Sequence, residues 1–110
     1  MRVASIAASG LRAASTQLEA SAHNVANVST DGFRPVRTVT TAQREGGVSA
    51  RIAPAEDPAL AALGRVEGGS GTDLAEETVQ RMLAQRAFSA NLAVLRTADE
   101  MAEELVKKRG

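Results

Sequence analysis

The chain has 110 residues, enough for one domain at most. Its 13 Lys and Arg balance 13 Asp and Glu, so nothing steers the chain as a whole toward nucleic acid or anionic lipid. It has no Cys, which removes disulfides, thiolate catalysis and Cys-type zinc sites, and Phe33 and Phe88 are its only aromatics, which argues against an enzyme core and for close helix packing by small residues.

The first segment reads as an amphipathic helix over residues 3–28, roughly 39 Å long at ~1.5 Å per residue. Ala7, Leu11, Ala14, Leu18, Ser21, Val25 and Val28 alternate at spacings of four and three, a heptad seam broken by Ser21. Gly10 inside it costs about 1 kcal/mol relative to Ala. It has two readings, a tolerated surface glycine or a close approach of another helix. Ser29, Thr30, Asp31 and Gly32 make a stop signal, Gly32 being suited to the left-handed conformation. Arg12 interrupts the Ala/Ser-rich start, so no cleaved signal peptide is expected. No apolar run approaches the ~20 residues of a membrane span.

The middle changes character. Arg34 to Ala42 is rich in Val and Thr, and Val48, Ala50 and Ile52 alternate with polar residues. With the Gly-containing loop 43–47 between them, these predict a β-hairpin, Pro35 holding the first strand to an edge or a late start. Such a hairpin is marginal alone and must lean on a helix or another subunit. Residues 53–72, with two Pro and four Gly, read as a linker with a helical turn near 59–63.

The last segment opens with Asp73 as a cap and Glu76 three residues on, a capping-box pair. Glu76 and Glu77 suit the positive end of the helix dipole, and Lys107, Lys108 and Arg109 the negative end. Val79, Leu83, Ala87, Ala90, Val94, Ala98, Met101 and Leu105 form one apolar stripe with an eleven-residue period. Phe88, Leu92, Leu95 and Ala102 form a second. One face can pack the first helix and the other is left for a different chain. The domain plan is therefore 1–32, core helix and turn; 33–72, hairpin and linker; 73–110, core helix. The fold class is mainly α, with the two long helices pairing as an antiparallel coiled coil. A charge at Leu18 or Val94 is expected to disrupt the helix seam and block assembly.

No Ser/His/Asp set or carboxylate pair presents itself, and His23 is the only His. It reads as a surface or capping residue, so neither catalysis, cofactor nor metal is expected. The Gly68-Gly69-Ser70-Gly71 run lacks the Lys of a phosphate loop. Asn24 and Asn27 share a helical face and read either as local capping groups or as hydrogen-bond donors to a neighbouring subunit. Phe33 reads as an anchor for the middle segment. Phe88 reads as core more than interface. Gln85, Arg86 and Asn91 read as a solvated face or as inter-subunit contacts.

Two motifs carry a family resemblance. Asn24-Val25-Ala26-Asn27-Val28-Ser29-Thr30-Asp31-Gly32-Phe33-Arg34 resembles the N-terminal signature of bacterial flagellar rod and hook proteins, roughly N-x-A-N-x-x-T-x-G-F and a basic residue. Leu74 to Met101, with Ala84-Gln85-Arg86-Ala87-Phe88-Ser89-Ala90-Asn91 and Thr97-Ala98-Asp99-Glu100-Met101, resembles the C-terminal signature of the same family. His23 departs from the family's usual Asn, and residues 34–72 stand where hook and distal-rod members carry large inserted domains.

The resemblance implies a structural subunit that self-assembles through its terminal helices into the flagellar axis, for motility. Its partners would be itself, other rod or hook subunits and the type III export apparatus, with no nucleic acid and no membrane insertion. Its place would be the periplasm-spanning rod, reached without a cleaved signal. Leu11, Leu18, Asn24, Asn27, Thr30, Gly32, Phe33, Gln85, Arg86, Phe88, Asn91 and Met101 would be motif or subunit-interface residues. The other reading is a small non-enzymatic helical scaffold or adaptor outside the flagellum.

Overall fold

The computed structural model describes residues 2–55 and 69–109. The chain runs α1 (Arg2–Ala26), β1 (Val36–Ala42), β2 (Val48–Pro54) and α2 (Leu74–Arg109). It is mainly helical, with one two-stranded antiparallel sheet. The helical turn expected near 59–63 lies outside the described residues. The radius of gyration is 18.4 Å and the extents are 68 × 25 × 15 Å. An ordinary globule of this length has a radius near 13 Å. The molecule is therefore long and thin, with little room for an interior.

The two helices pack side by side, and their partners run in opposite order along the chain. The Asn24 side chain meets Glu77, Gln17 meets Gln80, Gly10 faces Asn91, and Val3 shares a groove with Met101. Among the described residues the buried hydrophobic ones are five alanines: Ala7, Ala14 and Ala20 on α1, Ala84 and Ala98 on α2. Small residues let the helices approach closely at the expense of buried apolar area, and area sets the hydrophobic gain.

This seam differs from the heptad read in the sequence. Ala7, Ala14 and Ser21 do face inward, but their companions are three residues on, at Gly10, Gln17 and Asn24, not four on at Leu11, Leu18 and Val25. The line running inward is thus small and polar, held by the 2.8 Å bond from Gln17 Nε2 to Gln80 Oε1 and by Ser21 Oγ donating to the Glu77 carbonyl. One residue is a rotation of about 100°. Leu18 and Val25 end up on the flank, each 42% exposed, and Leu11 half-buried.

The helix starts and stops follow local chemistry. Asp73 Oδ1 accepts from the backbone N–H of Ala75 at 2.9 Å and of Glu76 at 3.4 Å, which caps α2. The expected capping box is only half made, because the Glu76 carboxylate reaches away to Arg37 at 2.7 Å. Gly32 adopts φ 75° in the turn beyond α1 that the Phe33 N–H closes by donating to the Thr30 carbonyl.

The hairpin has Ala42 opposite Val48 and Val36 opposite Pro54, with loop 43–47 between. It leans on α1 throughout. Near the loop, Arg2 donates twice to the Glu45 carbonyl, and Ser9 Oγ accepts from the Val48 N–H at 3.1 Å. Gly47 sits at φ 86°, where a Cβ would lie 2.5 Å from Ser9 Oγ. Only glycine fits this crossing of loop and helix.

Candidate functional site

At the far end of the hairpin, one polar node joins α1, β1 and α2. Asn24, on the last turn of α1, has 0% exposure. Its Oδ1 accepts from the Val36 N–H at 2.8 Å, and its Nδ2 donates to the Val36 carbonyl at 2.9 Å. The same Nδ2 reaches the Glu77 carboxylate at 2.9 Å. Glu77 is itself 2% exposed, an unusual place for a carboxylate. Arg37 meets it at 2.6 Å through Nη1 and holds Glu76 at 2.7 Å through Nη2. Partial burial alone lowers the Arg37 pKa, but the bond and charge of Glu77, then of Glu76, outweigh it and raise the guanidinium above its ordinary value. A buried carboxylate without such partners would cost several kcal/mol.

The rest of the first motif shapes the corner after α1. Asn27 Nδ2 donates to the His23 carbonyl at 3.0 Å, and Thr30 Oγ1 donates to Asn27 Oδ1 at 3.1 Å. Phe33 is half-buried, its ring edge-to-face with His23 at 5.4 Å and 64°. Thr72 Oγ1 donates to the Asn24 carbonyl at 2.9 Å, satisfying an end group of α1 from across the chain. The backbone of Gly71 donates to the Phe33 carbonyl, and that of Gly32 to the Gly69 carbonyl.

The second motif is placed differently. Asn91 is half-buried against Gly10, where a Cβ would come within 2.5 Å of its amide. Its Nδ2 donates to the Ala87 carbonyl. Gln85 and Arg86 are exposed, and Phe88 is 41% exposed, sharing a groove with Leu18 and Gln85. Met101 is 62% exposed. Of the two apolar stripes of α2, Leu92, Leu95 and Ala102 of the second are half-buried, while Val79, Leu83, Val94, Met101 and Leu105 of the first stand open.

Sequence reasoning missed Glu77, Arg37, Thr72 and Ser9. Glu77 read only as a dipole partner, although its place on the inward line of α2 with Ala84 and Ala98, seven and twenty-one residues on, was visible. Thr38 Oγ1 is buried without a hydrogen-bond partner and lies beside the node in a polar recess of about 210 Å³. Among the described residues, no three His, Asp or Glu side chains converge on a metal-holding cluster. No described helix is long and apolar enough to cross a membrane.

A thin helix pair with open apolar flanks, squared off by a polar corner, is a kind of protein suited to packing. Two family models fix which kind. Residues 5–34 match the flagella basal body rod protein family, and residues 64–107 match the C-terminal region of the flagellar basal body rod FlgEFG proteins. Together these cover about two thirds of the chain, in the order of the two motifs, and the chain belongs to the flagellar basal body rod family. Membership places it with the flagellar basal body and gives it a structural role. A comparison with curated protein sequences found no match.

Proposed function

We propose that this protein is an axial subunit of the flagellum, of rod or hook type, that builds into the structure through its two terminal helices and so serves motility. The observation that carries this reading is the imbalance of the helix pair. Among the described residues, five alanines form the buried hydrophobic core while fourteen large hydrophobic residues stand exposed. Exposed apolar area of that extent, in stripes along helices, is the mark of a surface that other chains cover. In the axis those chains are further copies and neighbouring rod or hook subunits, whose contacts repeat head to tail without closing. The helix pair winds there as an antiparallel coiled coil. The chain reaches that place through the type III export apparatus.

A second reading is favoured by one feature. The middle of the chain holds a seven-residue-per-strand hairpin and a short connection, with no large inserted domain. A scaffold outside the flagellum, presenting the same open stripes to partner helices, fits that economy. Deleting the gene and fractionating the cells separates the two. Loss of motility, rescue by this chain and its recovery with purified basal bodies support the axial subunit. Full motility of the deletion strain, with the chain absent from basal bodies, overturns it in favour of the scaffold.

A further inference from the structure

The open stripe of α2 is self-complementary. Val79, Leu83, Val94, Met101 and Leu105 lie along one side of the helix, each 45% exposed or more. At their middle, Val94 borders a groove of about 360 Å³ whose walls include Val3, Met101 and Leu105. The outer edge of the stripe carries charge. Arg86 and Glu104 are eighteen residues apart, about five turns, so they share one azimuth. Glu100 lies one turn before Glu104 on the same edge. All three side chains are exposed, and none has an ion-pair partner among the described residues.

We propose that this stripe packs against the same stripe of a second copy, antiparallel, about a twofold axis at Val94. Counting outward from Val94, Leu83 then faces Leu105 of the second copy, and Ala87 faces Met101. Arg86 falls opposite position 102, between Glu100 and Glu104 of the other chain. A twofold axis brings like edges of the stripe together, so the charged edges meet, basic against acidic, twice over. A parallel copy would set this charged edge against the opposite edge of its partner, away from Glu100 and Glu104. Charge complementarity therefore selects both the occupant and its direction. The pair is closed, unlike an open axial array, and it covers the stripe of the free chain. It does not depend on the axial reading, because it follows from α2 alone.

The test uses the full chain, which has no Cys of its own. Light scattering should give about twice the chain mass of 11.4 kDa. A Val94→Cys variant should cross-link to itself on mild oxidation, since a twofold axis at that position brings both thiols together. Leu83→Cys alone should not, whereas a mixture of Leu83→Cys with Leu105→Cys should. Arg86→Glu should weaken association on the order of a hundredfold, as three acids then crowd each edge. Adding Glu100→Arg and Glu104→Arg to it should restore association. Circular dichroism of each variant separates lost pairing from lost helix, because all the altered positions are exposed. A monomeric wild-type chain, no Val94→Cys cross-link, or charge reversal without rescue would each overturn the proposal.

Discussion

Asn24 and Val36 pair as two strand residues would. The carboxamide of Asn24 supplies one donor and one acceptor to the Val36 backbone, at 2.9 and 2.8 Å. A side chain on a helix thereby takes the place of a neighbouring strand at the start of β1. The second hydrogen of Nδ2 is spent on Glu77, so one residue ties three elements together. This gives the Asn of the first motif a task within its own chain.

Replacing Asn24 by Ala should strip partners from the Val36 N–H and carbonyl and one donor from a buried carboxylate. At about 1–3 kcal/mol for a buried unsatisfied group, a loss of roughly 2–4 kcal/mol is expected. Asn24→Asp should cost more than Ala, although it is nearly the same shape, because it sets a second carboxylate against Glu77. Thermal unfolding followed by circular dichroism checks the order. An Asp variant as stable as wild type would remove the node from the account.

Arg37 bridges Glu77 and Glu76 with two different nitrogens, a geometry a lysine lacks. Its raised pKa has a definite sign. A base held above its ordinary value contributes fully below its unfolded pKa and loses that contribution as pH rises through the higher folded value. The Arg37 contribution should therefore hold constant from neutral pH to about 11. Arg37→Lys should be less stable at neutral pH and should show an added alkaline loss above about pH 10.4, where lysine ordinarily gives up its proton. Denaturant midpoints across that range give the comparison. Identical alkaline profiles for the two proteins would contradict the bridge.

Gly10 leaves space for Asn91, whose carboxamide a Cβ would approach to 2.5 Å. Alanine is worth about 1 kcal/mol more than glycine inside a helix. The clash should outweigh that gain, so Gly10→Ala should be destabilising, by about 1 kcal/mol, as an overpacked site is. In an Asn91→Ala background the obstruction is gone, and Gly10→Ala should stabilise. The sign change in a double-mutant cycle is the readout, and additivity of the two changes would refute the close approach.

The helices, the hairpin and its loop were legible because each rests on local signals: caps, period, alternation, and Gly at the turns. Strand register followed from the loop, with Ala42 facing Val48. What was not legible was the azimuth of the seam. Leu11, Leu18 and Val25 outrank Gly10, Gln17 and Asn24 in hydrophobicity, so a pattern read by apolar content alone turns the helix by one residue. The seam chosen by the fold rewards close approach and hydrogen bonding instead. That choice also explains why Glu77 was overlooked. Its burial makes sense only once Asn24 and Arg37 are known to converge on it, and they lie fifty-three and forty residues away.

The seam position sorts two kinds of charge insertion. Ala84 is 2% exposed between the helices, so Ala84→Asp buries an unpaired carboxylate and should unfold the helix pair, at a cost of several kcal/mol. Leu18 is 42% exposed on the flank, beside the groove that holds Phe88 and Gln85. Leu18→Asp should leave the helix content and melting of the free chain within about 0.5 kcal/mol of wild type, as surface changes do. Its effect should appear on assembly, where the flank meets another subunit and a carboxylate would be desolvated. Motility and basal-body incorporation of Leu18→Asp, set beside its circular dichroism, decide the matter. A variant that folds and still incorporates normally would show that this flank faces no neighbour, while one that fails to fold would return Leu18 to the core.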